Sequence, residues 1–161
     1  MRIAAIIVAA GRGQRAGIDT PKQLRPLGGK PVFQWSVDAF QGDDNVDQCV
    51  LVVPAGQKAR YRGLVDNSVK LVEGGDTRSA SVRAGLQACE IAEDGIVLIH
   101  DAARPGLKAE TITLLIPALD TADAAAPALP VADALKRKSR TTLSNIDRTD
   151  LYRVQTPQAF R

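Results

Sequence analysis

The residues best suited to chemistry lie near the amino terminus, where an apolar run gives way to glycine and positive charge in the segment IAAIIVAAGRGQRAGIDTPK. Gly11 and Gly13 allow the backbone to turn and to present successive N–H groups to an anion. Arg12, Arg15 and Lys22 add the fixed positive charge that a polyphosphate requires. The pattern predicts a polyphosphate-binding loop.

Two other phosphate-binding motifs and one plain structural reading compete with this interpretation. The spacing Gly11-x-Gly13-x-x-Ala16 also fits a dinucleotide fingerprint, which expects an acidic residue at the end of the second strand. The corresponding stretch, VVPA, has no acid, and no Lys-Ser/Thr pair follows a second glycine as a P-loop would require. A glycine-rich turn with solvated basic residues remains the structural alternative, and Lys22 directly behind Pro21 argues against it.

The surrounding pattern predicts buried strands that alternate with helices. Ile3 to Val8 is aliphatic without alternation, which is typical of a parallel strand covered on both faces. Further strands are predicted at 48–53, 69–72, 96–99 and 124–129, and helices at 32–40, 58–65, from Thr77 onward and at 109–119. Burial of the third helix is expected through Val82, Leu86 and Cys89. This alternation predicts an α/β fold with a three-layer, mostly parallel Rossmann-like sheet.

Two later segments place chemistry at the ends of these elements. Gly75 and Asp76 precede a predicted helix, and the start of a helix is suited to binding an anion. Asp101 follows a buried strand, where open α/β sheets bind ligands, and its carboxylate is expected to bind Mg²⁺ on a polyphosphate. A helix cap or an ion pair with Arg104 is the alternative. His100 is interpreted as a hydrogen-bonded structural histidine.

Composition favours a small anionic ligand over a macromolecular one. The 161 residues carry a net charge of +3 without a basic block, so no nucleic-acid partner is expected. The apolar runs are too short to span a membrane. Cys49 and Cys89 have no metal-site spacing and are expected to be buried free thiols in a reducing cytoplasm. We expect a single domain, 1–161, in which the polar, turn-rich stretch 130–153 forms a protruding arm or hairpin.

With the glycine-arginine loop, GGDTRSASV, HDAARP and DRTDLYRVQTPQAF considered together, the chain resembles the 2-C-methyl-D-erythritol 4-phosphate cytidylyltransferases of the non-mevalonate isoprenoid pathway. The resemblance runs from Ile3 to Arg161. The opening loop is shared by many sugar nucleotidyltransferases, whereas the GGD-x-R-x-x-S, HDAARP and TPQ segments indicate the methylerythritol phosphate branch among them. The resemblance implies a Rossmann-like nucleotidyltransferase that converts CTP and methylerythritol phosphate to CDP-methylerythritol and pyrophosphate.

The resemblance also implies roles for individual residues. Arg15 and Lys22 would stabilise charge at the α-phosphorus, and Asp101 would bind the metal. Nucleotide-binding positions would be Ala9, Ala10, Gly11, Gly75, Asp76 and Ser81. Acceptor-binding positions would be Arg104, Arg148 and Thr156, with Arg78 supporting the pocket. In the family the arm crosses to the other subunit of a homodimer, so Arg148 would act catalytically in trans.

Two departures from the family pattern qualify these implications. Ala134 follows Asp133 where many members have threonine, which puts one hydroxyl contact to the acceptor in doubt. Members continue past TPQ-x-F with a lysine near the nucleotide phosphates, so part of the site is expected to be missing from a chain that stops at Arg161. Some members are fused to the later cyclodiphosphate synthase. A related pentitol-phosphate cytidylyltransferase is one alternative, because the same loops would serve it, and a non-catalytic nucleotide-binding module is another, because the C-terminal lysine is absent.

Overall fold

The computed structural model describes residues 2–11, 20–92 and 94–161, and its central feature is a six-stranded sheet. The strands are β1 (Ile3–Val8), β2 (Pro26–Leu27), β3 (Lys30–Pro31), β4 (Gln48–Val53), β5 (Lys70–Glu73), β6 (Ile96–Asp101), β7 (Ala124–Ala125), β8 (Ala128–Pro130), β9 (Leu135–Lys138), β10 (Leu143–Ile146), β11 (Tyr152–Val154) and β12 (Gln158–Phe160). The α-helices are α1 (Val32–Gln41), α2 (Lys58–Arg62), α3 (Arg78–Ala88) and α4 (Ala109–Ala118), and Lys22–Leu24 form a 3₁₀ turn.

The sheet has the order β5-β4-β1-β6-β12-β7 and is mostly parallel, as predicted. β1 pairs in parallel with β4 and β6, β5 pairs in parallel with β4, and β12 runs antiparallel to β6 and β7. The register places Val8 opposite Asp101, and Val53 opposite Glu73. The carboxyl ends of β1, β4, β5 and β6 therefore meet at one edge, which is where such sheets bind ligands.

Apolar layers cover both faces of the sheet and confirm the three-layer prediction. One core joins alternate sheet residues to Phe33 and Phe40 of α1, Tyr61 of α2 and Ile112 of α4. The other joins the opposite alternate residues to α3. Because these strands are buried on both faces, their sequences are aliphatic without alternation.

The predicted buried face of α3 is only partly correct. Ser81 and Gly85 are the buried residues of this helix, whereas Leu86 is 43% exposed. A Cβ atom at Gly85 would lie 2.5 Å from Cγ2 of Ile6, so the glycine lets the helix backbone approach the sheet closely. Close approach at a glycine cannot be inferred from apolar spacing, and this rotates the buried face away from Leu86.

Most predicted elements match the structure to within one or two residues, and two differ by more. The expected strand at 124–129 divides into β7 and β8, because Pro127 between them has no N–H for a ladder and its carbonyl instead accepts from Gln155 N at 2.8 Å. The expected helix at 58–65 ends at Arg62, where Gly63 caps it.

Both cysteines are free, as predicted, and they lie on opposite faces of the sheet. Cys49 is buried, but Cys89 is only half-buried, so that part of the burial prediction is wrong. Burial raises the pKa of each thiol to about 11, with Lys70 opposing the rise at Cys89. Both side chains are therefore protonated thiols at neutral pH.

The predicted arm is present as two small antiparallel ladders. β9 pairs with β10 as a hairpin, and β8 pairs with β11 at its base. Nearly all of its side chains are exposed, including Leu143 at 66%, Tyr152 at 57% and Val154 at 54%. The arm therefore has no core of its own in the single chain.

Among the described residues, no helix combines the length and the apolar character needed to cross a membrane.

Candidate active site

The first part of the site is the end of β1 and the loop that follows it. Ala9 continues the strand by donating its N–H to the Val52 carbonyl at 2.7 Å. The side-chain amide of the buried Gln23 donates to the carbonyls of Ala9, at 2.7 Å, and of Gly11, at 3.1 Å. Lys22, immediately before Gln23, is exposed. The structure thus connects the 3₁₀ turn that carries Lys22 to the backbone of the predicted phosphate loop.

Three of the residues predicted for that loop, Arg12, Gly13 and Arg15, lie outside the described residues. Their proposed contacts therefore stay predictions from the sequence.

The second part of the site is the glycine turn between β5 and α3. A Cβ atom at Gly74 would lie 2.5 Å from Cβ of Ala10 and 2.6 Å from Oγ of Ser81, so only glycine fits between them. The hydroxyl of Ser81, which is buried, lies 2.9 Å from the Thr77 carbonyl and 3.2 Å from the Gly75 carbonyl. Ala10, Gly75 and Ser81, predicted from separate motifs, are thus brought to one place. Asp76 follows in the same turn and is exposed.

The start of α3 is built as a capped helix terminus. Thr77 is the N-cap, and its side-chain oxygen accepts from Ala80 N at 3.0 Å. Such a cap satisfies one of the free N–H groups of the first turn and leaves others available, with the positive end of the helix dipole beside them. The terminus adjoins the glycine turn and carries Arg78 as its first residue. It adds positive potential to the same edge of the sheet.

Asp101 lies between two arginines at the end of β6. Its Oδ1 atom is 3.2 Å from Arg78 Nη2, and its Oδ2 atom is 3.4 Å from Arg104 Nε. The side chains of these three residues are between one third and one half exposed. The predicted alternative, an ion pair with Arg104, is therefore present in the structure. It does not exclude a metal-binding role, because a partly solvated pair of this kind contributes about 0–1 kcal/mol and can be exchanged.

No group of three or more metal-binding side chains occurs in the described parts of the chain. Asp101 offers a single carboxylate, and Mg²⁺ can be held by one or two carboxylates when substrate phosphates supply further ligands. Asp101 fits that role only when an anion also offsets Arg78 and Arg104.

His100 is a structural residue, as predicted. It is 1% exposed, its ring meets Phe40 edge-on at 5.4 Å, and it bridges two chain segments. Nε2 lies 3.1 Å from the Arg104 carbonyl, which can only accept, so Nε2 carries the proton and Nδ1 accepts from Thr156 Oγ1 at 3.0 Å. His100 therefore fixes both Arg104 and Thr156 behind the exposed arginine side chain.

The burial of His100 predicts an acid sensitivity of the fold. Burial lowers the pKa of this histidine from 6.5 to about 4, partly opposed by the Arg104 carbonyl. Well above pH 6.5 the histidine is neutral in both the folded and the unfolded chain, so it adds no pH dependence to the stability. As the pH falls below 6.5, His100 binds a proton in the unfolded chain but stays neutral in the folded chain, so the free energy of unfolding decreases down to about pH 4. We expect a loss of about 2 kcal/mol in unfolding free energy between pH 8 and pH 5, measured by urea denaturation.

A non-titrating replacement provides the control for this effect. His100 is the only histidine in the chain. His100→Gln should be less stable at pH 8 but should show a smaller change between pH 8 and pH 5. An equal change in both proteins would assign the acid sensitivity to other groups.

The segment that contains Thr156 closes the site from the other side. Thr156 Oγ1 also lies 3.4 Å from Asp101 N, and Arg104 Nη1 donates to Gln155 Oε1 at 2.5 Å. Arg78 Nη2 donates to Gln158 Oε1 at 3.3 Å. The structure therefore brings Asp101, Arg104 and Thr156 together, and the roles that the family resemblance implies for them stay predictions.

Arg148 is not joined to this cluster within the described parts of the chain. Its guanidinium donates to the carbonyl of Ala132 inside the arm, and the side chain is exposed. The backbone carbonyl of Arg148 likewise accepts from Leu151 N, at 3.1 Å, within the arm.

Sequence reasoning missed three glutamines whose side chains hydrogen-bond to residues of the site. Gln23, Gln155 and Gln158 are uncharged and show no motif spacing of their own, and their roles depend on which carbonyl or guanidinium the fold brings near them. Gln155 and Gln158 lie within the QTPQ segment that the resemblance used, so that segment was the available signal.

A mostly parallel α/β sheet thus gathers the Ala9–Gly11 backbone, a glycine turn, a capped helix start and the Asp101 carboxylate with its two arginines at its carboxyl edge, an arrangement typical of nucleotide-binding α/β proteins. Comparison with known proteins narrows the class. Residues 3–161 match the family model for 2-C-methyl-D-erythritol 4-phosphate cytidylyltransferase, and the chain belongs to that family.

Curated relatives include both single and fused proteins. The chain is 49% identical to the 2-C-methyl-D-erythritol 4-phosphate cytidylyltransferase of Cereibacter sphaeroides, over all of this chain and 73% of the relative. It is 51% identical to the bifunctional enzyme IspD/IspF of Hyphomonas neptunium, over 98% of this chain and 41% of the relative. The chain thus spans less than half the length of the fused relative.

Solved structures agree with this assignment. A crystal structure of 4-diphosphocytidyl-2C-methyl-D-erythritol synthase matches 99% of this chain and 74% of its own, with 33% identity and a TM-score of 0.82. The Thermus thermophilus cytidylyltransferase matches 99% of this chain and 70% of its own, with 29% identity and a TM-score of 0.78.

Proposed function

We propose that this chain transfers CMP from CTP to 2-C-methyl-D-erythritol 4-phosphate, giving CDP-methylerythritol and pyrophosphate. The observation that supports the proposal best is the convergence of the Ala9–Gly11 backbone, the Gly74–Gly75 turn and the Asp101–Arg104 cluster at one edge of the sheet. An oxygen of the acceptor phosphate attacks the α-phosphorus of CTP, and the bond from that phosphorus to the bridging oxygen of pyrophosphate breaks. Displacement of this kind needs positioning and charge stabilisation and no covalent protein intermediate.

The described residues divide this work between two ends of the site. Lys22, beside the first loop, neutralises negative charge that increases on the phosphates as the bond to pyrophosphate breaks. Arg104, held by His100 and Gln155, binds the phosphate of the acceptor, and Thr156 lies beside it. The two ends lie on neighbouring strands, so both phosphates can be bound at once.

The glycine turn before α3 accounts for a preference for cytosine. Gly74 and Gly75 are crowded by Ala10, Ala80 and Ser81, and a Cβ atom at Gly75 would lie 2.6 Å from Cβ of Ala80. Backbone groups in such a tight turn can hydrogen-bond a small pyrimidine edge while leaving no room for a purine. Ser81 supports the turn from beneath by lying within hydrogen-bond distance of the Gly75 carbonyl.

Pyrophosphate release tests the proposed reaction. We expect release with CTP and methylerythritol phosphate together, and little with CTP alone or with ATP or GTP in its place. Release with a pentitol phosphate as acceptor would instead favour the related cytidylyltransferase. Binding of CTP without release under any of these conditions would favour a non-catalytic nucleotide-binding module. Equal turnover with ATP would contradict the proposed role of the glycine turn.

Mg²⁺ is proposed as the metal, with Asp101 as its protein ligand on the triphosphate. When bound, it would neutralise phosphate charge at the reacting centre. We expect Asp101→Asn to raise the Mg²⁺ concentration for half-maximal activity about tenfold or more, because one anionic ligand is lost. Asp120→Asn is the control, since Asp120 also pairs with an arginine, Arg161, at 3.5 Å. A metal titration unchanged in Asp101→Asn would assign that residue a structural role with its two arginines.

The arm is proposed to pair with a second copy of this chain as a homodimer. On the β8–β11 ladder, Tyr152 and Val154 share one face with the residues opposite them, and both are more than half exposed. Small ladders of this kind are only marginally stable when nothing covers them. Covering them with a second copy would also bring Arg148, which lies beside this ladder, toward the partner's site.

A further inference from the structure

Gln23 has an unusual place among the polar side chains of the described structure. It lies in the 3₁₀ turn directly after Lys22, yet it is only 5% exposed, and its side chain points into the end of β1. One amide nitrogen donates to the carbonyls of two residues, Ala9 and Gly11, that are separated by a single position. These two hydrogen bonds span the point where the strand changes into the loop.

Geometry gives these bonds a consequence for an anionic ligand. In a trans peptide the C=O and N–H groups point in opposite directions, so holding the Ala9 carbonyl toward Gln23 directs the N–H of Ala10 away from it. Without the amide, the carbonyl oxygens of Ala9 and Gly11 would be free to rotate toward the phosphates, and an oxygen with partial negative charge repels them. The amide therefore keeps two acceptors engaged and leaves the N–H of Ala10 directed away from Gln23.

The surroundings of Gln23 favour a fixed side chain. The ring of Tyr61 is fully buried against Phe33, with a centroid distance of 5.1 Å, and its hydroxyl lies beside Gln23 without a hydrogen bond of normal geometry. The two bonds to the carbonyls are consequently the polar contacts that determine the position of the Gln23 amide.

We propose that Gln23 is a positioning residue for phosphoryl transfer, which holds the Ala9–Gly11 backbone in its phosphate-binding conformation and couples that backbone to Lys22. The inference rests on the proposed function for its effect on the reaction. Its effect on the backbone is independent of that function. Since Lys22 and Gln23 are adjacent in one turn, loss of the amide changes the position of both the loop and the ammonium group.

The test compares Gln23→Met with Gln34→Met. Gln34 is half-buried, and its side-chain amide donates to the Leu64 carbonyl in the contact between α1 and the segment after α2. In each variant an apolar side chain of similar length takes the place of an amide that donates to a backbone carbonyl. We expect Gln23→Met to lower kcat about 10- to 100-fold, because small displacements of catalytic groups cost up to about that much, and Gln34→Met to leave kcat within about twofold. Urea denaturation of both variants establishes whether they are equally stable.

A second variant distinguishes positioning from packing. Gln23→Glu has nearly the same shape, but its ionised carboxylate cannot donate to either carbonyl, whereas its protonated form can donate to one. Burial and the two facing carbonyls raise the pKa of such a carboxyl group. The activity of Gln23→Glu relative to wild type should therefore increase several-fold as the pH is lowered from 8 to 6. A ratio that is independent of pH, together with normal kcat in Gln23→Met, would overturn the proposal.

Amide hydrogen exchange separates this inference from the proposed function. Exchange at residues 9–11 of the ligand-free protein should be at least about tenfold faster in Gln23→Met than in wild type or Gln34→Met. This result is expected even if the wild type does not turn over CTP, in which case only the proposed reaction fails. Unchanged exchange at residues 9–11 would reject Gln23 as the residue that holds the loop.

Discussion

Lys22→Ala is expected to lower kcat by about 100-fold or more while changing KM for CTP by a smaller factor. In the proposed reaction the ammonium group stabilises charge that increases on the phosphates in the transition state, so its loss would remove stabilisation that is weaker in the ground state. Lys22 is exposed and is the first residue of the 3₁₀ turn whose Gln23 is hydrogen-bonded to the carbonyls of Ala9 and Gly11. Steady-state kinetics at saturating acceptor measure both constants.

Lys70→Ala is the matched control for this prediction. Lys70 begins β5, at the opposite end of that strand from the candidate site, and pairs with Glu90 at 2.7 Å. Its removal should leave kcat within about twofold, because surface pairs of this kind contribute about 0–1 kcal/mol to stability. A defect in Lys22→Ala that is confined to KM would show that Lys22 binds the nucleotide without stabilising the transition state. Arg15→Ala is expected to resemble Lys22→Ala.

Mixing Lys22→Ala with Arg148→Ala is expected to restore about a quarter of wild-type activity from two nearly inactive proteins. If the arm completes the partner's site, a hybrid dimer contains one site with both Lys22 and Arg148 intact. Random re-equilibration puts half the dimers in hybrid form, and one of the two sites in each hybrid is active. The experiment requires a form of the protein whose wild type is active with CTP and methylerythritol phosphate.

The alternative arrangement gives a different result. If Lys22 and Arg148 of one chain served the same site, every hybrid site would carry one lesion and mixing would restore nothing. Native mass spectrometry of differently tagged chains establishes that dimers have exchanged. Arg137→Ala, an exposed position on the same arm, is the control and should be active without a partner. Absence of recovery after confirmed exchange would reject the swapped arm.

The fold class could be predicted because its signals are local. The aliphatic runs at the positions of β1, β4 and β6 cannot be amphipathic and are too short for core helices, so they indicate strands covered on both faces. The polar, turn-rich stretch before Tyr152 likewise indicated an exposed arm. Burial of α3 was only partly predictable, because Gly85 sets its distance from the sheet and the effect of a missing side chain depends on the residue it faces.

The candidate site shows the same division between local and tertiary information. By itself the sequence determined the residue types: a glycine loop with cations, a glycine turn before a helix, and an acid after a buried strand, all of which are contiguous motifs. Only the tertiary structure decided that Ala10 meets Gly74, that Asp101 lies between Arg78 and Arg104, and that Gln23 binds the carbonyls of Ala9 and Gly11. The physical reason is that a hydrogen bond or ion pair depends on the distance between its two groups, and for segments far apart in sequence the packing of the sheet sets that distance.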